Sequence, residues 1–369
     1  MTANEPTPPG AGQPATLSGP IPSLDGLRAV SIAIVFLAHT GLRGIVPGFF
    51  GVTVFFFLSG YLITTLLRIE FENTGEIGLR NFYVRRAFRI WPLFYLVLIV
   101  ATLLSALGAY GPPLPFDPGL VFMQFAHLAN YAIVQSGWYL GRANGTWVYW
   151  SLAVEEHFYL VLPIVYLAML KARVRPSRQA AIFLSLCLLT LLWRLALVFA
   201  FDAPRERIYV ATDTRIDSIL FGCVLAVVYN PVLDAAPCRE AWLKHVWFPL
   251  GGVLLVLSFL PRQPWFDQTV LYTLQGLALL PLFLVAVRYP QWLPCRALNH
   301  PWAKVLGVLS YAIYLVHTIV IGLVERWIAS PLVLTLLAAA STLLVAWILH
   351  RGVEQPFIRL RKRFRDPVP

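Results

Sequence analysis

Apolar runs of about twenty residues, separated by short polar and basic connections, recur along the 369-residue chain. A bilayer core of about 30 Å takes about 20 helical residues to cross. Runs of that length fall at 24–45, 49–68, 91–110, 147–170, 179–200, 215–231, 246–261, 268–288, 304–325 and 330–350. The pattern predicts an all-α polytopic membrane protein with about ten transmembrane helices. The sixth run is the weakest, because RIDSIL brings charge to its start, and the eighth is broken by Gln275 and Pro281. Between the third and fourth runs, residues 111–146 carry GPPLPFDPG and then the aromatic stretch VFMQFAHLANYAIV. That stretch is too polar for a span and reads as a half-helix at the interface or dipping back into the protein. Residues 1–20, rich in Pro, Gly, Thr and Ala with Glu5 as their only charge, read as a disordered tail and not a signal peptide. Residues 21–353 form the expected transmembrane domain and 354–369 a basic tail, with no appended soluble domain.

Composition supports the same class. Hydrophobic residues are 58% of the chain, charged residues 13%, and mean hydropathy is +0.70, whereas soluble domains run near 45–50% apolar and about 25% charged. The net charge of +11 sits in short connections between apolar runs, which orients a membrane protein and gives no support to nucleic-acid binding. With the N-terminus inside, the inner loops and C-terminal tail hold about three times as many Lys and Arg as the outer loops, so both termini are expected in the cytoplasm. The four cysteines, Cys187, Cys223, Cys238 and Cys295, have neither CxxC nor metal-type spacing. Neither a disulfide nor a metal is expected.

Ionisable residues within apolar runs are functional candidates by default. Arg28 and His39 lie 11 positions apart in the first run; at about 100° per residue both fall on one helical face, roughly 16 Å apart along it. His39 suits a general base for a hydroxyl acceptor and Arg28 a contact to a negatively charged or carbonyl-bearing donor; snorkelling and a helix-to-helix hydrogen bond are the plainer alternatives. Arg85, Arg86 and Arg89 precede the third run, with Arg85 and Arg89 on one face and Arg86 about 100° round it. They are either a phosphate clamp or positive-inside anchors. Glu155 and Glu156 open the fourth run facing about 100° apart, so one of them is expected at the depth of His39, fixing its tautomer; a wet helix start is the alternative. His157 reads as a bystander. Ser59, Gly60 and Tyr61 suit either close helix packing or the approach of a narrow chain. Tyr311, Tyr314 and His317 lie within one stretch of the ninth run, where His317 is the reserve candidate for catalysis or acceptor binding. Asp213, Arg215 and Asp217 either line an acceptor cleft or form a local ion-pair cluster.

LDGLR, AHT and FFGVTVFFFLSGYLIT, followed by FYVRRAFRIWP, WSLAVEEHFYL, RIDSILFG, LSYAIYLVH and EQPF, cover essentially the whole chain in order. In these stretches the chain resembles the acyltransferase 3 family of integral membrane acyltransferases. The resemblance implies a bacterial inner-membrane O-acyltransferase moving an acyl group, acetyl by family habit, from cytoplasmic acyl-CoA to a hydroxyl of a cell-surface or lipid-linked glycan or glycosylated small molecule. It gives essential roles to Arg28 and His39, weights Arg86 and Arg89 for donor binding, and favours Glu155 over Glu156. Acyl-CoA is then a substrate, and no permanently bound cofactor is implied. Ser59 and Tyr61 join the expected donor contacts, and Tyr311, Tyr314, His317 and Asp217 the expected acceptor contacts. A proton-coupled exporter of glycans or small molecules is the rival reading, since intramembrane Arg, His and Glu would suit it too.

Overall fold

A computed structural model describes residues 19–361 apart from 41, 43, 111–115, 140 and 262; most of the expected N-terminal tail and the end of the basic tail lie outside the described residues. Among these, the chain is helical with no strand: α1 (Leu24–Ala38), α2 (Gly48–Thr74), α3 (Leu79–Ala106), α4 (Pro118–Phe125), α5 (Ala129–Ser136), α6 (Trp150–Lys171), α7 (Pro176–Phe199), α8 (Arg205–Val210), α9 (Thr212–Val227), α10 (Glu240–Ser258), α11 (Val270–Arg288), α12 (Pro301–Glu325) and α13 (Pro331–Leu360), with short helical turns between some of them. Eight of these helices are long and apolar enough to cross a membrane. The first and sixth predicted runs fold as helices of 15 and 16 residues, about 22–24 Å at 1.5 Å per residue. Both are shorter than the hydrocarbon core.

Of these two short helices α9 belongs to the centre of the bundle, whereas α1 packs against α2 and α12 and leaves Val30 exposed. In α2 and α12 72% of the apolar stretch is buried, against 17% in α10, 22% in α13 and 28% in α7. On α7 the exposed Ile182, Leu186, Leu189 and Trp193 recur at helical spacing along one face, the stripe a lipid-facing helix requires. In α9, by contrast, every residue from Asp217 to Val227 is buried. Enclosed by protein on all sides, α9 needs neither full bilayer length nor a purely apolar sequence.

Glycine sets the closest approaches. A Cβ on Gly60 of α2 would sit 1.9 Å from the Ile219 carbonyl oxygen, and one on Gly222 of α9 would sit 2.1 Å from that of Phe57. The two backbones touch there, as small residues permit between membrane helices. Similarly, a Cβ on Gly307 of α12 would meet the Asp25 carbonyl at 2.0 Å. Contacts between α1 and α12 climb together from Asp25–Gly307 through Arg28–Ser310 to Phe36–His317, so these helices run parallel. This register places the site.

The aromatic stretch after residue 115 folds as two half-helices, α4 and α5, where the sequence suggested one. Asp117 caps α4 by accepting from the Leu120 amide at 3.0 Å. Beyond α5, Gly137, Gly141 and Gly145 all have φ near +75°, a backbone open to glycine at little cost. The loop coils around buried Arg142, which donates to the Ala132 carbonyl at 3.0 Å, to Ser136 Oγ at 2.8 Å and to the Gly137 carbonyl. Burial pushes this guanidinium down to about 10, so it stays cationic at neutral pH. The loop is fastened to α12 by Thr318, whose hydroxyl donates to the Gly145 carbonyl at 2.5 Å.

Candidate active site

A cavity of about 380 Å³ opens among α1, α2, α3, α6 and α12. Of the predicted site residues, Arg28, Ser59, Arg86, Arg89, Glu155, Tyr311 and Tyr314 line it. Arg28 Nε donates to Ser310 Oγ at 3.2 Å. The Arg86 guanidinium lies 4.8 Å from the centre of the Tyr159 ring. Arg28, Arg86 and Arg89 form no ion pair with a carboxylate among the described residues, although Arg68, Arg85, Arg194 and Arg207 do.

Glu155 accepts from Ser59 Oγ at 3.0 Å, and the Tyr159 hydroxyl lies 3.1 Å from its other oxygen and 3.0 Å from Ser59 Oγ. The three groups form a closed triangle on the cavity wall. Glu156 lines the same cavity and meets Trp91 Nε1 at 3.4 Å. The expectation that only one of the adjacent carboxylates could reach a common site is therefore corrected: neighbours 100° apart both border a cavity this wide.

Three assignments change with the packing. Arg85 turns from the cavity to Glu70, at 3.0 Å, while Arg86 and Arg89, three apart on α3, face inward. Tyr61 is fully buried away from the cavity and donates to Asn230 Oδ1 at 3.2 Å, while Asn230 Nδ2 donates to Thr65. Asp217 lines no acceptor cleft. Its carboxylate takes two hydrogen bonds from buried Arg194, at 2.6 and 3.0 Å, and one from Thr273 at 2.9 Å. The Asp217 carboxylate is paired within the protein, which is how it can sit in an apolar run.

The histidines stand at the far end. The cavity lining reaches Phe55, Ser151 and Tyr314. The Tyr314 hydroxyl is 2.5 Å from Ser151 Oγ and donates to the Val148 carbonyl at 2.8 Å. One turn beyond Tyr314, His317 meets His39, with Nε2 and Nδ1 3.0 Å apart. His39 caps the end of α1, and the edge of Trp147 packs against it at 4.9 Å between ring centres. Arg28 and His39 thus share the face of α1 that meets α12, as their spacing predicted. Glu155 engages Ser59 and Tyr159, and His39 is met by His317. His157 instead bonds Thr212 at 2.7 Å.

Sequence reasoning missed Ser310, Ser151 and Tyr159 as wall residues and ranked Glu156 below Glu155. The signal for two of them was present: Tyr159 follows Glu155 by four residues, and Ser310, Tyr314 and His317 fall at i, i+4 and i+7 on one face. A second cavity, of about 440 Å³, shares Pro20, Ile21 and Asp25 with the first and is lined also by Arg296, His300 and Lys304.

Comparison with known proteins gives a family and named relatives. Two relatives are the Peptidoglycan O-acetyltransferase OatA of Listeria monocytogenes, 28% identical over 372 residues, and the O-acetyltransferase OatA of Staphylococcus aureus, 29% identical over 358 residues. The alignments cover 94% and 91% of this chain but only 58% and 57% of the relatives, so the chain spans less than two thirds of their length. No solved structure matches it. The family model described as "Acyltransferase domain" matches residues 21–351, nearly the whole chain, and the protein belongs to that family, acyltransferase 3.

Proposed function

We propose that the chain is a membrane O-acyltransferase unit that takes an acyl group, in the first instance acetyl, from cytoplasmic acyl-CoA and passes it to a hydroxyl of a cell-surface or lipid-linked glycan. It would work in the plasma membrane of a bacterium with both termini in the cytoplasm. One observation carries the reading. Three guanidiniums without carboxylate ion pairs, Arg28, Arg86 and Arg89, face a cavity whose wall ends one helical turn from a pair of imidazoles. Guanidinium forks suit the phosphates of coenzyme A, and the adjoining cavity with Arg296 and Lys304 gives its nucleotide a place beside the pantetheine arm. Imidazole suits removal of a hydroxyl proton near neutral pH. Both relatives are named O-acetyltransferases, which supports acetyl as the group, and the name of the Listeria relative, a peptidoglycan O-acetyltransferase, supports a glycan as the acceptor.

In this mechanism the acceptor oxygen attacks the thioester carbonyl. Its proton passes to His39, the new C–O bond forms as the C–S bond breaks, and His39 returns the proton to the departing thiolate. Tyr314 stands between donor cavity and base, so its side chain must leave Ser151 and the Val148 carbonyl for the thioester to meet His39. Glu155, held by Ser59 and Tyr159, stabilises the arginines of the donor pocket.

Purified protein incubated with labelled acetyl-CoA and fractionated cell-envelope glycans should transfer label to a glycan fraction as an alkali-labile ester. Arg28→Ala should weaken acetyl-CoA binding at least tenfold. A protein that binds no acetyl-CoA, and instead moves protons or glycans across vesicle membranes, is the exporter of the rival reading.

A further inference from the structure

His317 is fully buried, and its ring is fixed at both nitrogens. Nδ1 lies 2.7 Å from the carbonyl oxygen of Tyr314. A carbonyl only accepts, so Nδ1 carries the hydrogen, and the neutral ring then has its lone pair at Nε2. That lone pair faces His39 Nδ1 at 3.0 Å. The hydrogen between the rings therefore belongs to His39 Nδ1, which places the lone pair of His39 on Nε2. The rings are tilted by 32°, and Phe36 and Tyr314 pack around His317 at 6.5 and 5.6 Å between centres. Nothing in this chain of donors requires an ionised partner.

We infer that His317 is the positioning residue of the acyl transfer: it accepts from His39 Nδ1 and so holds His39 in the tautomer whose Nε2 is the base. The inference rests on the acyltransferase reading and assigns His317 a place in it other than acceptor binding. During transfer the acceptor O–H bond breaks as Nε2–H forms on His39. The resulting imidazolium keeps its Nδ1 hydrogen and continues to donate it to the neutral His317, whose own Nδ1 hydrogen is still donated to the Tyr314 carbonyl. The Nε2 proton then goes to the thiolate released from the broken C–S bond, and both rings return to their starting state. A carboxylate in the same place would stabilise the imidazolium more strongly, but between turnovers it would be a buried charge facing a neutral ring. A neutral imidazole avoids that cost in a low-dielectric setting.

The test compares His317→Ala with His317→Gln in the full chain. A glutamine amide oxygen can stand near the position of Nε2 and accept from His39; alanine cannot. Expected for His317→Ala is a fall in kcat on the order of 100-fold, within the usual range for general-base catalysis, with acetyl-CoA affinity unchanged and little change in acceptor KM. Expected for His317→Gln is recovery of at least tenfold of that loss. Equal losses in both variants with donor binding intact, an unchanged kcat in His317→Ala, or a loss confined to acceptor KM would overturn the inference while leaving the acyltransferase reading in place. Nitrogen NMR of wild-type protein carrying 15N-histidine decides the matter without any variant. Both rings should be protonated at Nδ1, and a neutral His39 protonated at Nε2 would refute the assignment. Absence of any transfer by wild-type protein would instead count against the parent reading.

Discussion

Removing the carboxylate of Asp217 should unfold the bundle far more readily than its place in a polar sequence segment suggests. Asp217 and Arg194 are both 0% exposed. The carboxylate accepts two charge-assisted bonds from the guanidinium, one from Thr273 and one from the Ser218 amide at 2.9 Å. In Asp217→Ala the guanidinium keeps hydrogen bonds to the Thr214 carbonyl at 2.7 Å and the Thr273 hydroxyl at 2.6 Å and loses its buried counter-ion. Breaking a buried pair from one side costs about 3–5 kcal/mol. The paired charges themselves are worth much less, because their attraction mostly offsets the desolvation of both. The double variant Arg194→Met, Asp217→Leu should therefore recover more than half of the loss. Unfolding of detergent-solubilised protein by SDS titration, followed by tryptophan fluorescence, measures both. A loss below about 1 kcal/mol in Asp217→Ala would mean that the pair is hydrated and α9 is not enclosed. A double variant that is stable but selectively loses acceptor affinity would restore Asp217 to the acceptor site.

Other outcomes follow from the same packing. Gly222→Ala should destabilise by about 1–3 kcal/mol or more, the usual cost of overpacking, because the new methyl would meet the Phe57 carbonyl oxygen at 2.1 Å; Gly252→Ala, with nothing within 4 Å, is the control expected to unfold like wild type in the same titration. Arg86→Ala and Arg89→Ala should each weaken acetyl-CoA binding several-fold, by calorimetry, whereas Arg85→Ala, whose side chain pairs with Glu70, should bind donor as wild type does. An equal loss in all three would point to general surface charge in place of a directed clamp.

The architecture was legible because hydrophobic run length is a direct physical demand of the bilayer. The all-α class and the parallel approach of Arg28 and His39 to one neighbour both follow from helix geometry, and the structure shows them. What run length could not reveal is which helices touch lipid. α9 registers as an apolar run just as α7 does, yet it is short and lies inside the bundle. A period of 3.6 residues likewise gives the direction of a side chain from its own helix axis but not what stands there. Arg85 and Arg89 share a face by that rule, and the cavity nevertheless takes Arg86 and Arg89, since Glu70 waits on the other side. The same limit explains Glu155 and Glu156: the angle between them was right, and the breadth of the cavity they border was invisible.

In a membrane chain every polar residue inside an apolar run looks functional, because each would be costly if left without partners. The structure separates two ways of meeting that cost. Tyr61 with Asn230 and Arg194 with Asp217 are paired within the protein, and their burial is complete. Arg28, Arg86 and Arg89 make no carboxylate ion pair but face a cavity that Asp25, Glu155 and Glu156 also line, which leaves their guanidinium forks for an incoming group under the proposed function. His39 and His317 belong to neither class: their ring nitrogens meet 3.0 Å apart, and in the inferred tautomer the lone pair of His39 is on Nε2. A sequence holds the residues for all three arrangements, but the distinction lies in distances between helices hundreds of residues apart. His39 and His317 are separated by 278 positions and meet at 3.0 Å, and that meeting depends on Gly307 allowing α1 and α12 to run side by side.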